Sequence, residues 1–137
     1  MRPIADQTLQ ELEGVDYGEP TYNSFVVTNT HRLRRVPIKR FALDDLRFMI
    51  GQGEGLPWLL PRALAHLARH PLAGGRWHYR GSLLNAVISV PDAFWQQRPL
   101  WRAQVSVIIA SALKRIHEVA VPEGFESDLR AAMPRFE

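Results

Sequence analysis

The chain has no cysteine, only two lysines among its seventeen basic residues, and no apolar run approaching the ~18 residues of a membrane-spanning helix. Without cysteine there is no disulfide framework, no thiolate nucleophile and no cysteine-ligated zinc, and a reducing compartment is expected. Without a long apolar run no membrane insertion is expected, and the opening MRPIADQTLQELEG places carboxylates where a signal peptide needs an apolar core. The cytoplasm is the expected location. Internal repeats, linkers and low-complexity tracts are missing as well. What is present is 137 residues, 46% hydrophobic and 23% charged, with four Trp and six Phe. That suffices for one domain with a continuous core and argues against wholesale disorder.

The shortage of lysine leaves fifteen arginines to carry the positive charge. Arginine keeps its charge and forks onto carboxylates or phosphates. The net charge of +3 is sorted along the chain: residues 1–31 sum to −4, residues 32–47 to +4, residues 48–115 to +6 and residues 116–137 to −3. Acidic ends therefore flank a basic middle, and such sorting can serve a partner or be neutralised within the fold.

Periodicity predicts helices throughout. Thr8 reads as an N-cap with Glu11 as its capping-box partner and Gly14 as the stop. In SFVVTNTHRLRR, β-branched residues favour a strand while Val26 and Leu33 share a helical face, and helix is the reading adopted because no partner strand follows. Leu43, Leu46 and Ile50 lie at helical spacing behind Asp44 and Asp45 and end at Gly51. Pro57 suits a first helical position, and Leu60, Leu64 and Leu67 continue to His70 before Pro71. Ser82 reads as a cap for SLLNAVISV, and Pro91 opens PDAFWQQ. Trp101, Val105, Ile108, Ile109, Ala112 and Ile116 form the strongest amphipathic stripe and predict a central helix, with FESDLRAAM as a short last one. Trp58, Trp95 and Trp101 read as core. The fold expected is all-α, an orthogonal bundle forming a single compact domain of six to eight mostly short helices over residues 1–137.

Candidate chemistry is sparse. GQGEG at residues 51–55 lacks the preceding strand and third glycine of a dinucleotide loop and the Lys-Ser or Lys-Thr of a P-loop, so it reads as a corner between helices. His66 and His70 have the i, i+4 spacing of two metal ligands, but HLARH lacks the glutamate of a metalloprotease and no third ligand is evident. No metal, cofactor or catalytic residue is assigned. RLRRVPIKR, residues 32–40, could meet phosphates and supports a DNA-binding regulator as the alternative reading; the helix behind it offers only Arg62 and Arg69 to base edges, which disfavours nucleic acid. ELEGVDYGEPTY interleaves carboxylates with tyrosines, a composition suited to meeting a basic protein. The contacts expected there are Glu13, Asp16, Tyr17, Glu19 and Tyr22, with pairing of the same carboxylates to the chain's own arginines an equal alternative.

The order of LQELEGVDYGEPTYNSFVV, THRLRRVPIKRFALDDLRFMIGQ, LPWLLPRALAHLARHPLAGG and RGSLLNAVISV resembles the small immunity proteins of bacterial contact-dependent growth inhibition systems, from about Leu9 to Trp101. DLRFMIGQ is the most specific element. The resemblance implies a non-enzymatic, cytoplasmic protein that binds the C-terminal toxin domain of a cognate exported effector, one-to-one, the toxin being a nuclease and most often a ribonuclease. Acidic mimicry of nucleic acid is common in inhibitors of nucleases, and this chain departs from it by being net basic.

Overall fold

The computed structural model describes residues 2–137 and is all-helical. Eight α-helices follow in order: α1 Leu9–Glu13, α2 Phe25–Leu33, α3 Leu43–Gly51, α4 Leu56–Arg69, α5 Ser82–Ile88, α6 Asp92–Gln96, α7 Pro99–Arg115 and α8 Phe125–Phe136. Short 3-10 turns occupy Ile4–Asp6, Ile38–Arg40 and Ile116–Glu118. Among the described residues there is no strand, in agreement with the all-α expectation.

Side-chain hydrogen bonds explain the starts of the first three helices. The Thr8 hydroxyl accepts the Glu11 N–H at 3.1 Å and the Glu11 carboxylate accepts the Thr8 N–H at 3.1 Å, while Gly14 closes α1 at φ 69°. The ambiguous segment after Ser24 is helical: the Ser24 hydroxyl accepts the Val27 N–H at 3.2 Å, and Thr30 satisfies its own hydroxyl by donating to the Val26 carbonyl at 2.7 Å. With Thr30 and Leu33 buried, one helical face is covered, which outweighs the β-preference of Val26 and Val27. Asp45 accepts the Ala42 N–H at 2.9 Å at the start of α3.

Three details depart from the sequence expectation. Gly51 is the last residue of α3 rather than its stop; the reversal is made by Gly53 and Gly55, at φ 73° and 63°, where a side chain is costly. Ser82 does not cap α5. Gly81 does, at φ 92°, with the Phe125 ring against it where a Cβ would stand, and Ser82 is buried as the first helical residue. The stripe on α7 is buried at Val105, Ile108, Ile109 and Ala112, but Leu100 and Val107 are largely exposed on its other side. The helix is therefore apolar in two directions, and α4 is the more sharply two-faced.

Helix α3 packs along α5; α4 lies against α3, α5 and α7; α7 also supports α6 and α8. Leu33, Met49, Leu60, Leu67, Leu84, Val105, Ile109 and Leu129 meet in one hydrophobic core. Trp95 is buried in it and donates its indole N–H to the Val90 carbonyl at 3.2 Å, while Trp58 and Trp101 pack on its edge, as their positions predicted. Leu9 of α1 inserts beside Gly55, in the space a Cβ on that residue would take. The glycine cluster is thus a corner that admits a core leucine.

Candidate functional site

The loop between α1 and α2, residues 14–24, carries or adjoins all five residues expected to contact a partner. It is fixed from beneath by the second half of α2 and the turn after it. Asp16 accepts the Gly18 N–H at 2.7 Å, a side-chain turn that leaves the Gly18 carbonyl facing α2. That carbonyl accepts from His31 Nδ1 and from Arg35 Nη2, both at 3.0 Å. Arg35 also pairs with Glu19 at 3.1 Å and Asp16 at 3.5 Å. The Gly18 N–H, with Arg35 behind it, holds the Asp16 carboxyl below its ordinary pKa.

Beneath the loop sits Arg34, only 1% exposed. Its guanidinium pairs with Glu13 and, at 3.3 Å, with Glu54 of the glycine-rich corner, donates to the Val15 carbonyl at 3.1 Å and lies 3.9 Å over the Tyr17 ring. The Tyr17 hydroxyl donates to Glu54 at 3.2 Å, and its ring meets His31 edge-on. Burial and the Glu54 carboxylate push the Tyr17 hydroxyl pKa up, so it remains a donor at neutral pH. Glu13, Tyr17 and Glu54 are thereby drawn into a clasp around one buried arginine, and the carboxylate in GQGEG acquires a structural task.

The same pairing accounts for most of RLRRVPIKR. Arg34 and Arg35 are engaged as described, Lys39 pairs with Asp6 at 2.7 Å, and Arg32 donates to Asn29 Oδ1 at 2.8 Å with Asp45 at 3.9 Å. Backbone bonds join the same segments: the Gln10 N–H donates to the Arg34 carbonyl at 3.1 Å and the Ile38 N–H to the Gln7 carbonyl at 3.0 Å. The acidic N-terminal stretch is laced onto the basic one.

What the loop offers outward is chiefly Glu19, its side chain 85% exposed, and Tyr22, 70% exposed, with the paired Asp16 and Tyr17 also open to solvent at 61% and 44%. The five expected residues therefore divide. Glu13, Asp16 and Tyr17 have internal partners, whereas Tyr22 projects free and Glu19 keeps most of its surface. Two large exposed side chains were not foreseen, Phe25 at 74% and Trp77 at 76%. Phe25 had a readable signal, because its helical neighbours at i+4 and i+7 are Asn29 and Arg32, a polar face. Trp77 had only its place in a turn-rich connector.

His66 and His70 lie with ring centroids 5.1 Å apart, and no third metal-binding donor joins them among the described residues. Burial, and secondarily His70, lower the His66 pKa. Beside them Arg62 and Arg69 line a groove of about 630 Å³ with Phe41 and Leu43. No helix of the described residues is long and apolar enough to cross a membrane.

A family model described as CDI immunity proteins matches residues 11–105, more than half of the chain, including loop 14–24, segment 32–40 and helices α2 to α6. No curated protein matches the chain.

Proposed function

The chain belongs to the CDI immunity proteins, and from that premise we propose that it neutralises the C-terminal toxin domain of a cognate contact-dependent growth inhibition effector by binding it one-to-one in the cytoplasm, without catalysis. The toxin in this reading is a nuclease, of the ribonuclease class, whose basic surface meets carboxylates of the loop.

The observation that carries the contact face is the loop held rigidly by Arg34, Arg35 and His31 while presenting Glu19 and Tyr22. A loop ordered before binding avoids the entropic cost of ordering it at the interface. Tyrosine supplies contact area with few rotatable bonds, and an exposed carboxylate steers a basic partner. Glu13, Asp16 and Tyr17 support the face from below as well as bordering it. An interface of roughly 1,200 to 2,000 Å² in total suits such a complex.

Co-expression with the toxic domain, followed by growth and co-purification, tests the reading. Rescue with a stable equimolar complex is the expected result; growth arrest and no complex, with folded protein in hand, would remove it. Replacing Asp16 and Glu19 together by Lys is expected to weaken binding and flatten its salt dependence. Unchanged affinity and salt response would remove this face from the interface while leaving immunity standing.

A further inference from the structure

Next to the loop, the exposed rings of Phe25 and Trp77 stand at a cleft of about 420 Å³ floored by Phe48 and lined by Arg47, Asp44 and Asp45. The first turn of α2 and the connector before α5 reach this cleft from places more than forty residues apart in the chain. Phe25 is braced edge-on against Phe48, with ring centroids 5.8 Å apart. The backbone at Trp77 is held by α3: Asp44 accepts the Trp77 backbone N–H at 3.3 Å and the neighbouring His78 Nδ1–H at 2.7 Å. Gly75 lies so close to Asp44 that a Cβ there would occupy the carboxylate's place. The Phe25 ring is thus exposed and yet braced, and the Trp77 ring stands exposed on a backbone pinned to α3; exposed aromatic surface is costly for a free surface and useful for an anchor.

The charges in the cleft are unequally committed. Asp44 is satisfied by the connector; Asp45 accepts the Ala42 N–H at 2.9 Å and faces Arg32 at 3.9 Å. Arg47 takes part in no ion pair among the described residues, and its Nε is buried without an acceptor. A buried donor left unpaired is destabilising, and an acceptor brought to the Arg47 guanidinium relieves it. The cleft is therefore short of one anion between two aromatic walls.

Resting on the immunity reading, we infer that this cleft is the anchoring pocket of the complex and takes a single Asp or Glu side chain from a loop of the toxin, the carboxylate on Arg47 and the loop's apolar flank against Phe25 and Trp77. A phosphate chain fits less well. It would bring repeated negative charge against Asp44 and Asp45, whereas a single carboxylate brings one charge to Arg47 and meets less of that repulsion. The pocket also explains how a net basic inhibitor holds a partner: its anchor is a cation that accepts an acidic group, and the carboxylates of the neighbouring loop act in steering.

The test is titration calorimetry of the purified toxin domain with the wild-type chain and with Trp77→Ala, Arg47→Glu and Val107→Ser, each checked for folding by circular dichroism. Val107 lines a groove on α4 and α7 that shares no residue with the cleft. Trp77→Ala, at an exposed ring, is expected to weaken binding about 30-fold, in the range of an interface hot spot. Arg47→Glu is expected to weaken it roughly 100-fold or more, with recovery when one toxin Asp or Glu is changed to Lys. Val107→Ser is expected to bind as wild type. Binding of Trp77→Ala and Arg47→Glu within about threefold of wild type would overturn the pocket while leaving immunity intact, since such losses fall below one hot spot. Loss on Val107→Ser alone would move the interface to the α4–α7 groove and overturn it too. A wild-type chain that neither binds nor protects removes the immunity reading itself, and the pocket with it. Binding of a short single-stranded RNA that Arg47→Glu abolishes would replace the carboxylate by phosphate.

Discussion

Segment 32–40 puts five basic side chains into nine residues, and residues 62–70 put Arg62, His66, Arg69 and His70 into another nine. In the first, Arg34, Arg35 and Lys39 each meet a carboxylate within the chain, and Arg32 is held by Asn29. In the second, no side chain joins an ion pair among the described residues, and Arg62, His66 and Arg69 line an open groove. The denser run in sequence is the more paired in space, with exposed Arg40 the one of its five cations that joins no such contact among the described residues. A local count of charge thus measures neither surface potential nor binding, because the opposing charges come from residues 6–19 and from Glu54, far along the chain.

The contrast is broken most severely at Arg34. Arg34→Ala removes a buried cation from two carboxylates and a tyrosine ring, and is expected to cost roughly 3 kcal/mol, at the lower end for a broken buried pair because Glu13 and Glu54 keep some solvent. The melting temperature should fall by about 10 °C. Arg34→Lys should recover only part of this, since an ammonium cannot fork onto both carboxylates while stacking on Tyr17. If thermal melts show Arg34→Ala no worse than Arg62→Ala, segment 32–40 is not the locked region described here.

Next in size is Gly55, where the corner meets α1. Gly55→Ala adds a Cβ at φ 63° and sets it into the Leu9 side chain. The left-handed conformation costs about 1–2 kcal/mol, and displacing a fully buried leucine adds roughly 1 kcal/mol or more. Gly53→Ala, with a similar φ of 73° but open space around it, should show the conformational part alone. Chemical denaturation of the pair separates the two contributions, and equal losses would mean that Leu9 yields freely.

These cases mark what a single sequence discloses. The Thr8–Glu11 capping box, Pro57 opening α4 and the buried stripe of α7 were legible because each is set by residues within about a helical turn or two. The clasp was not. Glu54 stands 20 residues from Arg34 and 37 from Tyr17, and nothing in GQGEG reports that distance. The two readings of the acidic loop, partner contact or internal pairing, were balanced for the same reason. The structure finds internal pairing at Glu13 and Asp16, mixed character at Glu19, and an unpaired Tyr22. Phe25 was legible in principle from its polar helical face, whereas the closeness of Trp77 to it depends on α3 bridging segments more than forty residues apart.

The smallest expected effect separates the two charged regions by pH. Asp6, Glu11 and Asp16 in the laced region all have pKa values below ordinary: Asp6 through Lys39, Glu11 through the Thr8 N–H and then Arg2, Asp16 through the Gly18 N–H and then Arg35. For a carboxyl whose folded pKa is depressed, the unfolded chain binds the proton first as pH falls, so its stabilisation is complete above the unfolded value of about 4 and is lost below it. His66 on α4 has a lowered pKa through burial and then through His70. Here too the unfolded chain takes the proton first, but from about pH 6.5 downward. Stability should therefore decline in two stages, gently below about pH 6.5 from the α4 face and steeply below about pH 4 from the laced region together with Asp44 of α3. Burial pushes the Asp44 carboxyl up, but His78 and the Trp77 backbone N–H outweigh it and hold the pKa below ordinary. His66→Gln should flatten the upper stage in melting curves and leave the lower one in place. An upper stage that persists in that variant would show that the α4 face carries no such proton linkage, and that the two regions differ in pairing alone.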